Sequence, residues 1–167
     1  MTLDPRERAS RLDSFAAGPG RLEDALGHIP GEHLDWQPAV GEWSARQVLC
    51  HCADIEAVYY VRFRFLAAEK APTIHGLDQD RWAAALDYAR QPHASALAVV
   101  KALRAHTLPV LRRLPADAWT RPGHHTEYGA FTGDDCLRMA SASETHCMPR
   151  TQSAASGARI APKNACS

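Results

Sequence analysis

Histidines are the residues of this sequence with the clearest potential for chemistry, and the chain contains nine of them. Neutral imidazole is a favoured ligand for zinc and nickel, and helical bundles build metal sites from side chains that face inward. His51 lies about 60° from the centre of the apolar stripe of a predicted helix, at about 100° per residue, so its ring can reach the interior. The alternative is a histidine at the core boundary whose hydrogen bonds are satisfied.

A second pair of candidate ligands, His146 and Cys147, lies near the C-terminus. Cys147 is about 20° from the apolar stripe of the last predicted helix, whereas His146 is about 80° from it. Thiolate is a good zinc ligand. Adjacent helical residues point in different directions, however, so the alternative is a small buried cysteine beside a surface histidine.

Other combinations of reactive residues are weaker candidates. Cys50 and Cys52 point about 200° apart on a helix, which favours small buried or half-buried residues over a metal or redox pair. Arg62 lies on the same helix edge as His51, about three turns away. It is either an anion ligand near the interior or a surface residue with its head group in water. The sequence has no glycine-rich phosphate loop, HExxH or Gly-x-Ser-x-Gly motif.

Composition narrows the class of protein. Nineteen basic and nineteen acidic residues give a formal net charge of zero, which disfavours a nucleic-acid partner bound by phosphate neutralisation. No uncharged apolar run approaches the ~18 residues of a membrane helix, and the N-terminus has no apolar signal segment. Five cysteines, an odd number, indicate reduced thiols. We therefore expect one cytoplasmic domain with no membrane partner.

The elements that would position these residues are helices. Apolar residues recur at spacings of three and four, and Ser44 with Gln47 and Thr132 with Asp135 resemble capping boxes. The segments between the helices are predicted to be loops, with Trp36 and Trp43 packed over the end of the bundle. Residues 9–17 either extend the first helix or form a separate one. The helices are predicted over residues 19–28, 45–68, 79–90, 92–114 and 133–148.

These patterns predict an all-α four-helix bundle. Pro109 lies inside the third long helix, where we expect a kink or a lost backbone hydrogen bond. Residues 149–167 contain one isoleucine and no leucine, valine or aromatic residue, so they cannot bury enough apolar area to order and are predicted to be a disordered tail.

Several segments resemble one known family. LDWQPAVGEWSARQVLCHCADIE, residues 34–56, resembles the start of a DinB-like (YfiT-like) domain, in which Trp-x-Pro, Gly-Glu-Trp-Ser and His-x-Ala-Asp motifs follow one another. The segments GLDQDRWAAALDY, LPADAWTRPG and EYGAFTGDDCLR are similar in order and spacing. The resemblance covers about residues 15 to 140.

The resemblance implies a DinB-like bundle of up-down-down-up order over residues 10–148, often a homodimer. It also implies a divalent metal, zinc or nickel, held by three histidines, of which His51 matches the one on the second long helix. Asp54 is then expected to orient His51 directly or through solvent. Relatives use the metal to activate a low-molecular-weight thiol, which attacks an electrophilic small molecule.

The last helix departs from the family pattern. The family carries a His-x-x-x-His pair there, where this chain has Ser143 and Cys147, and His146 sits one position early. The resemblance therefore implies a degenerate metal site of His51, His146 and Cys147 in a protein related to thiol-dependent S-transferases and isomerases. The alternative is a metal-free, non-catalytic bundle that acts as a binding or dimerisation module.

Overall fold

The structure, a computed structural model, describes residues 2–142. Five helices dominate it, and a small sheet with two 3-10 turns connects them. The predicted end of the last helix and the predicted tail lie outside the described residues. The helices are α1 (Pro5–Gly27), α2 (Ala45–Ala68), α3 (Gln79–Ala85), α4 (His93–Arg113) and α5 (133–142); the 3-10 turns are Gly31–His33 and Ala116–Thr120; the strands are β1 (Thr73–Ile74), β2 (Gly123–His125) and β3 (Gly129–Phe131).

The first helix begins earlier than predicted. α1 starts at Pro5, and the side chain of Asp4 caps it by accepting the N–H groups of Arg6 and Glu7. It continues through Pro19, the residue at which the helix is predicted to begin. Of the two alternatives for residues 9–17, the structure shows the extension. An interior proline removes only one backbone donor, and the buried Phe15 lies on the same continuous helix.

The prediction for α2 is confirmed at both ends. Gln47 N–H donates to Ser44 Oγ at 3.3 Å, and Ser44 N–H donates to Gln47 Oε1 at 2.9 Å. This capping box satisfies two backbone donors that a helix N-terminus otherwise leaves unpaired. The predicted Thr132–Asp135 box at the start of α5 is also present, with both reciprocal bonds formed. Local signals of this kind depend on residues three apart, so they can be found in the sequence.

The helices α3 and α4 differ from prediction in where they begin or end. α3 ends at Ala85 instead of residue 90, because the chain turns at Asp87, which has a φ of +49°, and folds Tyr88 into the core. α4 begins one residue after the predicted start and contains Pro109. By length and composition alone, α4 is apolar enough to cross a membrane. In the structure it packs against α1 and α2 as a helix of the bundle.

A three-stranded sheet replaces the loops predicted over residues 70–78 and 120–131. β1 pairs with β2 in parallel, with Ile74 opposite His125, and β2 pairs with β3 in antiparallel. Strands of two and three residues are too short to show an alternating pattern, and β1 and β2 are about 50 residues apart in sequence. No local pattern in the sequence therefore predicts this sheet. It packs Ile74 and Phe131 into the core.

The core confirms the four-helix bundle. The larger cluster of buried side chains joins α1, α2, α4 and α5. A second cluster lies near the N-terminal end of α2, the end at which His51 is found. Trp43 is buried there, but Trp36 is 37% exposed, so only one of the two tryptophans packs as predicted. The larger cluster contains Leu3, Leu12, Phe15, Tyr59, Phe63, Leu66, Ile74, Leu111, Trp119, Phe131, Cys136, Leu137 and Ala140.

Candidate functional site

His51 is buried in the second turn of α2, with 2% of its surface exposed. The ring of Trp43 packs against it edge-on, with centroids 5.0 Å apart. The Nδ1 atom of His51 is buried and has no hydrogen-bond partner among residues 2–142. An unpartnered buried polar atom costs about 1–3 kcal/mol, so native proteins rarely keep one without a reason. The alternative, a core histidine whose hydrogen bonds are satisfied, requires a partner for Nδ1, and residues 2–142 do not supply one.

Asp54 binds Tyr88 and makes no direct hydrogen bond to His51 among the described residues. The Tyr88 hydroxyl donates to Asp54 Oδ2 at 2.5 Å, and Tyr88 is fully buried. Burial and the neighbouring Asp54 carboxylate raise the pKa of Tyr88 far above its usual value, so the hydroxyl keeps its proton. The direct His51–Asp54 contact expected as one route is therefore absent here. The solvent-mediated route stays a prediction.

The cysteines of α2 are free thiols in different environments, as predicted. Cys50 is buried, Cys52 is half-buried, and neither forms a disulfide. Burial is the largest influence on Cys50 and raises the pKa of its thiol to about 11, with a smaller opposing effect of Arg46. A thiol with a raised pKa is a poor nucleophile at neutral pH. Cys50 is therefore a core residue.

Cys50 is expected to resist alkylation in the folded protein. A pKa of about 11 instead of 9.0 leaves about 100-fold less thiolate at pH 8, and burial also hinders access. Peptide mass spectrometry after iodoacetamide treatment should show Cys52 modified well before Cys50, and both modified in urea. Equal rates of alkylation for Cys50 and Cys52 in the folded protein would contradict this assignment.

The raised pKa of Cys50 also makes the stability of the protein depend on pH. The contribution of the Cys50 thiol to stability is complete below pH 9 and is lost as the pH rises towards 11.

A complete metal centre is not visible in residues 2–142. No group of three or more His, Cys, Asp or Glu side chains in this range is placed to hold an ion. His51 fits the role of one ligand, because its buried Nδ1 lacks a partner. His146, Cys147 and Ser143 lie outside the described residues. A His51 site with three protein ligands would therefore need at least one ligand from outside residues 2–142.

Arg62 is buried, which corrects the interpretation of it as a surface residue. Its exposed fraction is 7%, and its Nη2 donates to the carbonyl oxygen of His75 at 2.5 Å. Its guanidinium lies 5.6 Å from the centroid of the Tyr59 ring. Its Nε is buried without a hydrogen-bond partner in the described part of the chain.

His125 lies beside Arg62 and is almost fully buried. Neighbouring residues of a strand point to opposite faces, so β2 turns His125 inward and leaves His124 exposed. Glu127 N–H donates to His125 Nδ1 at 3.2 Å, whereas His125 Nε2 is buried without a partner. Burial, followed by the charge of Arg62, lowers the pKa of His125 below its usual value, so the ring is neutral at pH 7. The sequence predicts His124 and His125 in a loop near the mouth of the bundle, so it does not predict the sheet that buries His125.

Two cavities adjoin Arg62. The larger, of about 400 Å³, is a groove along α2 lined mainly by apolar side chains, with Asp54 and Arg62 among its walls. The smaller, of about 20 Å³, is lined by Arg62, His125, Glu127 and neighbouring side chains. Arg62 thus lies between an apolar groove and a small polar space.

Comparison with known families identifies the one to which this chain is similar. The model of the DinB superfamily matches residues 14–146. The chain belongs to the DinB superfamily. The resemblance found in the sequence is therefore confirmed, and it spans nearly all of the described helices.

Two curated relatives of this chain carry a common name. A protein of Oceanobacillus iheyensis is 30% identical over 114 residues, which cover 68% of this chain and 66% of that protein. YfiT of Bacillus subtilis is 28% identical over 129 residues, covering 74% and 72%. Both are named "Putative metal-dependent hydrolase". The chain thus spans about two thirds of the length of these relatives.

A solved structure confirms the fold. The structure of YfiT from Bacillus subtilis, a four-helix bundle of unusual topology, matches with a TM-score of 0.84 over 92% of this chain and 88% of that one. The sequence identity in this alignment is 21%, so the match establishes architecture only.

Proposed function

We propose that this DinB-superfamily protein binds one divalent metal ion, zinc or nickel, through His51 and side chains beyond residue 142, which we assign as His146 and Cys147. The observation that carries this proposal is the buried Nδ1 of His51, which lacks a partner among residues 2–142. The names of the relatives, which specify metal dependence, support it. Imidazole and thiolate are both suitable zinc ligands.

The surroundings of His51 are suited to presenting a ligand nitrogen. Trp43 packs against the edge of the imidazole and also against Tyr88, so the ring is held by aromatic contacts. The Tyr88–Asp54 hydrogen bond anchors the next turn of α2. A side chain held in this way loses little freedom when it binds a ligand. Residues 2–142 therefore supply an oriented ligand and an apolar wall.

The proposed chemistry is thiol transfer. A bound divalent cation lowers the pKa of a coordinated thiol or water, which makes the nucleophile available at neutral pH. The resemblance in sequence implies a low-molecular-weight thiol that attacks an electrophilic small molecule, in a homodimer. The composition of the chain favours the cytoplasm. The names of the relatives favour a second candidate, hydrolysis by activated water. The two reactions are distinguished by whether turnover requires an added thiol.

Metal content tests the proposal. Untagged protein is expected to contain close to one equivalent of zinc or nickel by elemental mass spectrometry. The His51→Ala variant should lose it, because one of at most three protein ligands is removed. His28→Ala is the matched control, since His28 is exposed near the end of α1. Its metal content should not change.

The ligands assigned beyond residue 142 are tested in the same way. Cys147→Ser and His146→Ala should each reduce the metal content, and circular dichroism shows whether each variant is folded. A wild-type protein that stays metal-free after incubation with zinc would contradict the proposal and favour the alternative of a non-catalytic binding or dimerisation module.

A further inference from the structure

Arg62 is a buried cation without a counter-ion in the described part of the chain. Two other arginines with little exposure have carboxylate partners there, since Arg104 pairs with Glu56 and Arg8 pairs with Asp134. Arg62 donates from Nη2 to a carbonyl oxygen, while its Nε is buried and unpartnered. Buried charges in proteins are usually paired, because an unpaired charge has lost its hydration without compensation. This environment favours the binding of an anion to Arg62.

His125 supplies a second unpartnered donor at the same place. Its Nδ1 accepts the Glu127 N–H, so the proton of the neutral ring lies on Nε2, which is buried without a partner. Arg62 and His125 line the same cavity of about 20 Å³. A cavity of this size holds about one water-sized group. It is large enough for a carboxylate oxygen and small for a tetrahedral phosphate.

The groove on the other side of Arg62 is suited to an apolar group. Its walls include Val61 and Phe65, which are 45% and 44% exposed and are not covered by any part of residues 2–142. Ile74, Leu77 and Trp82 complete the apolar lining.

The charged side chains along the groove and the small cavity determine how an anionic ligand would be oriented. Asp54 lies two helical turns before Arg62, about 12 Å along the axis, and its carboxylate is held by Tyr88. Glu127, an exposed carboxylate, lines the small cavity but forms no ion pair with Arg62 within residues 2–142. His75 is also exposed at the groove. The positive end of the groove is therefore at Arg62.

We propose that Arg62 and His125 bind the carboxylate of a small amphiphilic molecule whose apolar part lies in the groove along α2. Arg62 is about three helical turns from His51, so this site does not depend on a metal there. The nearby Glu127 carboxylate opposes binding by like-charge repulsion and sets a limit on the affinity.

Octanoate is a suitable probe, because it combines one carboxylate with an apolar chain. Isothermal titration calorimetry on the full chain should show saturable binding to one site. Acetate lacks the apolar part and octanol lacks the charge, so each should bind at least about tenfold more weakly. Octyl phosphate tests the other source of an anionic head group and should also bind more weakly. Tighter binding of octyl phosphate or octanol, or no octanoate binding up to about 10 mM, would overturn the proposal.

Variants test which residues hold the carboxylate. Arg62→Met should weaken octanoate binding by at least about tenfold, the effect of losing charged hydrogen bonds. Arg64→Met is the matched control: it removes one charge from the same helix, but the Arg64 guanidinium stacks on Tyr60, 3.3 Å from the ring centroid. Its affinity should stay within about twofold. Glu127→Gln should tighten binding. Equal effects of the two arginine variants would exclude the assignment.

A second variant keeps the proposal testable if Arg62→Met does not fold. Val61 is 45% exposed, so Val61→Glu should leave the bundle intact while placing a negative charge on the wall of the groove. Octanoate binding should then be lost. Unchanged binding in folded Val61→Glu would show that octanoate occupies a different surface.

Discussion

Replacing Glu56 by leucine is expected to lower the free energy of unfolding by about 3–5 kcal/mol. Glu56 of α2 is 3% exposed and accepts two hydrogen bonds from Arg104 of α4, from Nε at 2.8 Å and from Nη2 at 2.5 Å. Arg104 also donates to the carbonyl oxygen of Phe15, and its guanidinium covers the Phe15 ring. The substitution would remove the carboxylate that pairs with this buried guanidinium in the middle of three packed helices. Urea denaturation followed by circular dichroism measures the loss.

The double variant Glu56→Leu with Arg104→Met separates the cost of breaking the pair from the net contribution of the pair to stability. Removing both charges should recover much of the stability lost in Glu56→Leu, because well-packed apolar residues often replace a buried ion pair without net loss. Glu23→Gln is the control, since its ion pair with Lys101 is exposed and should contribute less than about 1 kcal/mol. Simply additive effects of the two core substitutions would show that the two side chains do not depend on each other.

Replacing Asp134 by alanine is expected to cost about 2–4 kcal/mol of stability. Asp134 is fully buried near the start of α5 and accepts the Leu3 N–H at 2.9 Å and the Arg8 Nε at 2.8 Å. The substitution leaves both donors without their acceptor. Arg8 is 12% exposed, so it can regain some hydration, and the loss should be smaller than for Glu56→Leu.

The same substitution should loosen the N-terminus before the rest of the bundle. Hydrogen exchange is expected to show faster exchange of the Leu3 amide in Asp134→Ala, because that amide loses its acceptor. Asp13→Ala is the matched control: the Asp13–Arg112 pair joins exposed side chains, so its loss should change stability by no more than about 1 kcal/mol. An Asp134→Ala variant as stable as Asp13→Ala would contradict the structural role given to Asp134.

The sequence by itself determined the helical class and the precise bounds of α2. The capping box of Ser44 and Gln47 links residues three apart, and the apolar stripe repeats every three or four residues. Both signals are local, so no knowledge of the tertiary structure is needed. The same periodicity placed His51 near the interior, where the structure buries it. The motifs of residues 34–56 were sufficient to identify the family to which the chain belongs.

Only the tertiary structure decided which polar groups are buried and which groups they meet. Glu56 and Arg104 are 48 residues apart, and both types of side chain are usually exposed, so sequence pattern gave no reason to pair them. Asp54 is predicted from the sequence to orient His51, but it accepts a hydrogen bond from Tyr88, 34 residues away. The burial of His125 depends on a sheet formed by segments about 50 residues apart. Contacts of this kind form when distant segments of the chain pack together, and a local sequence pattern does not show which distant residue a side chain will contact.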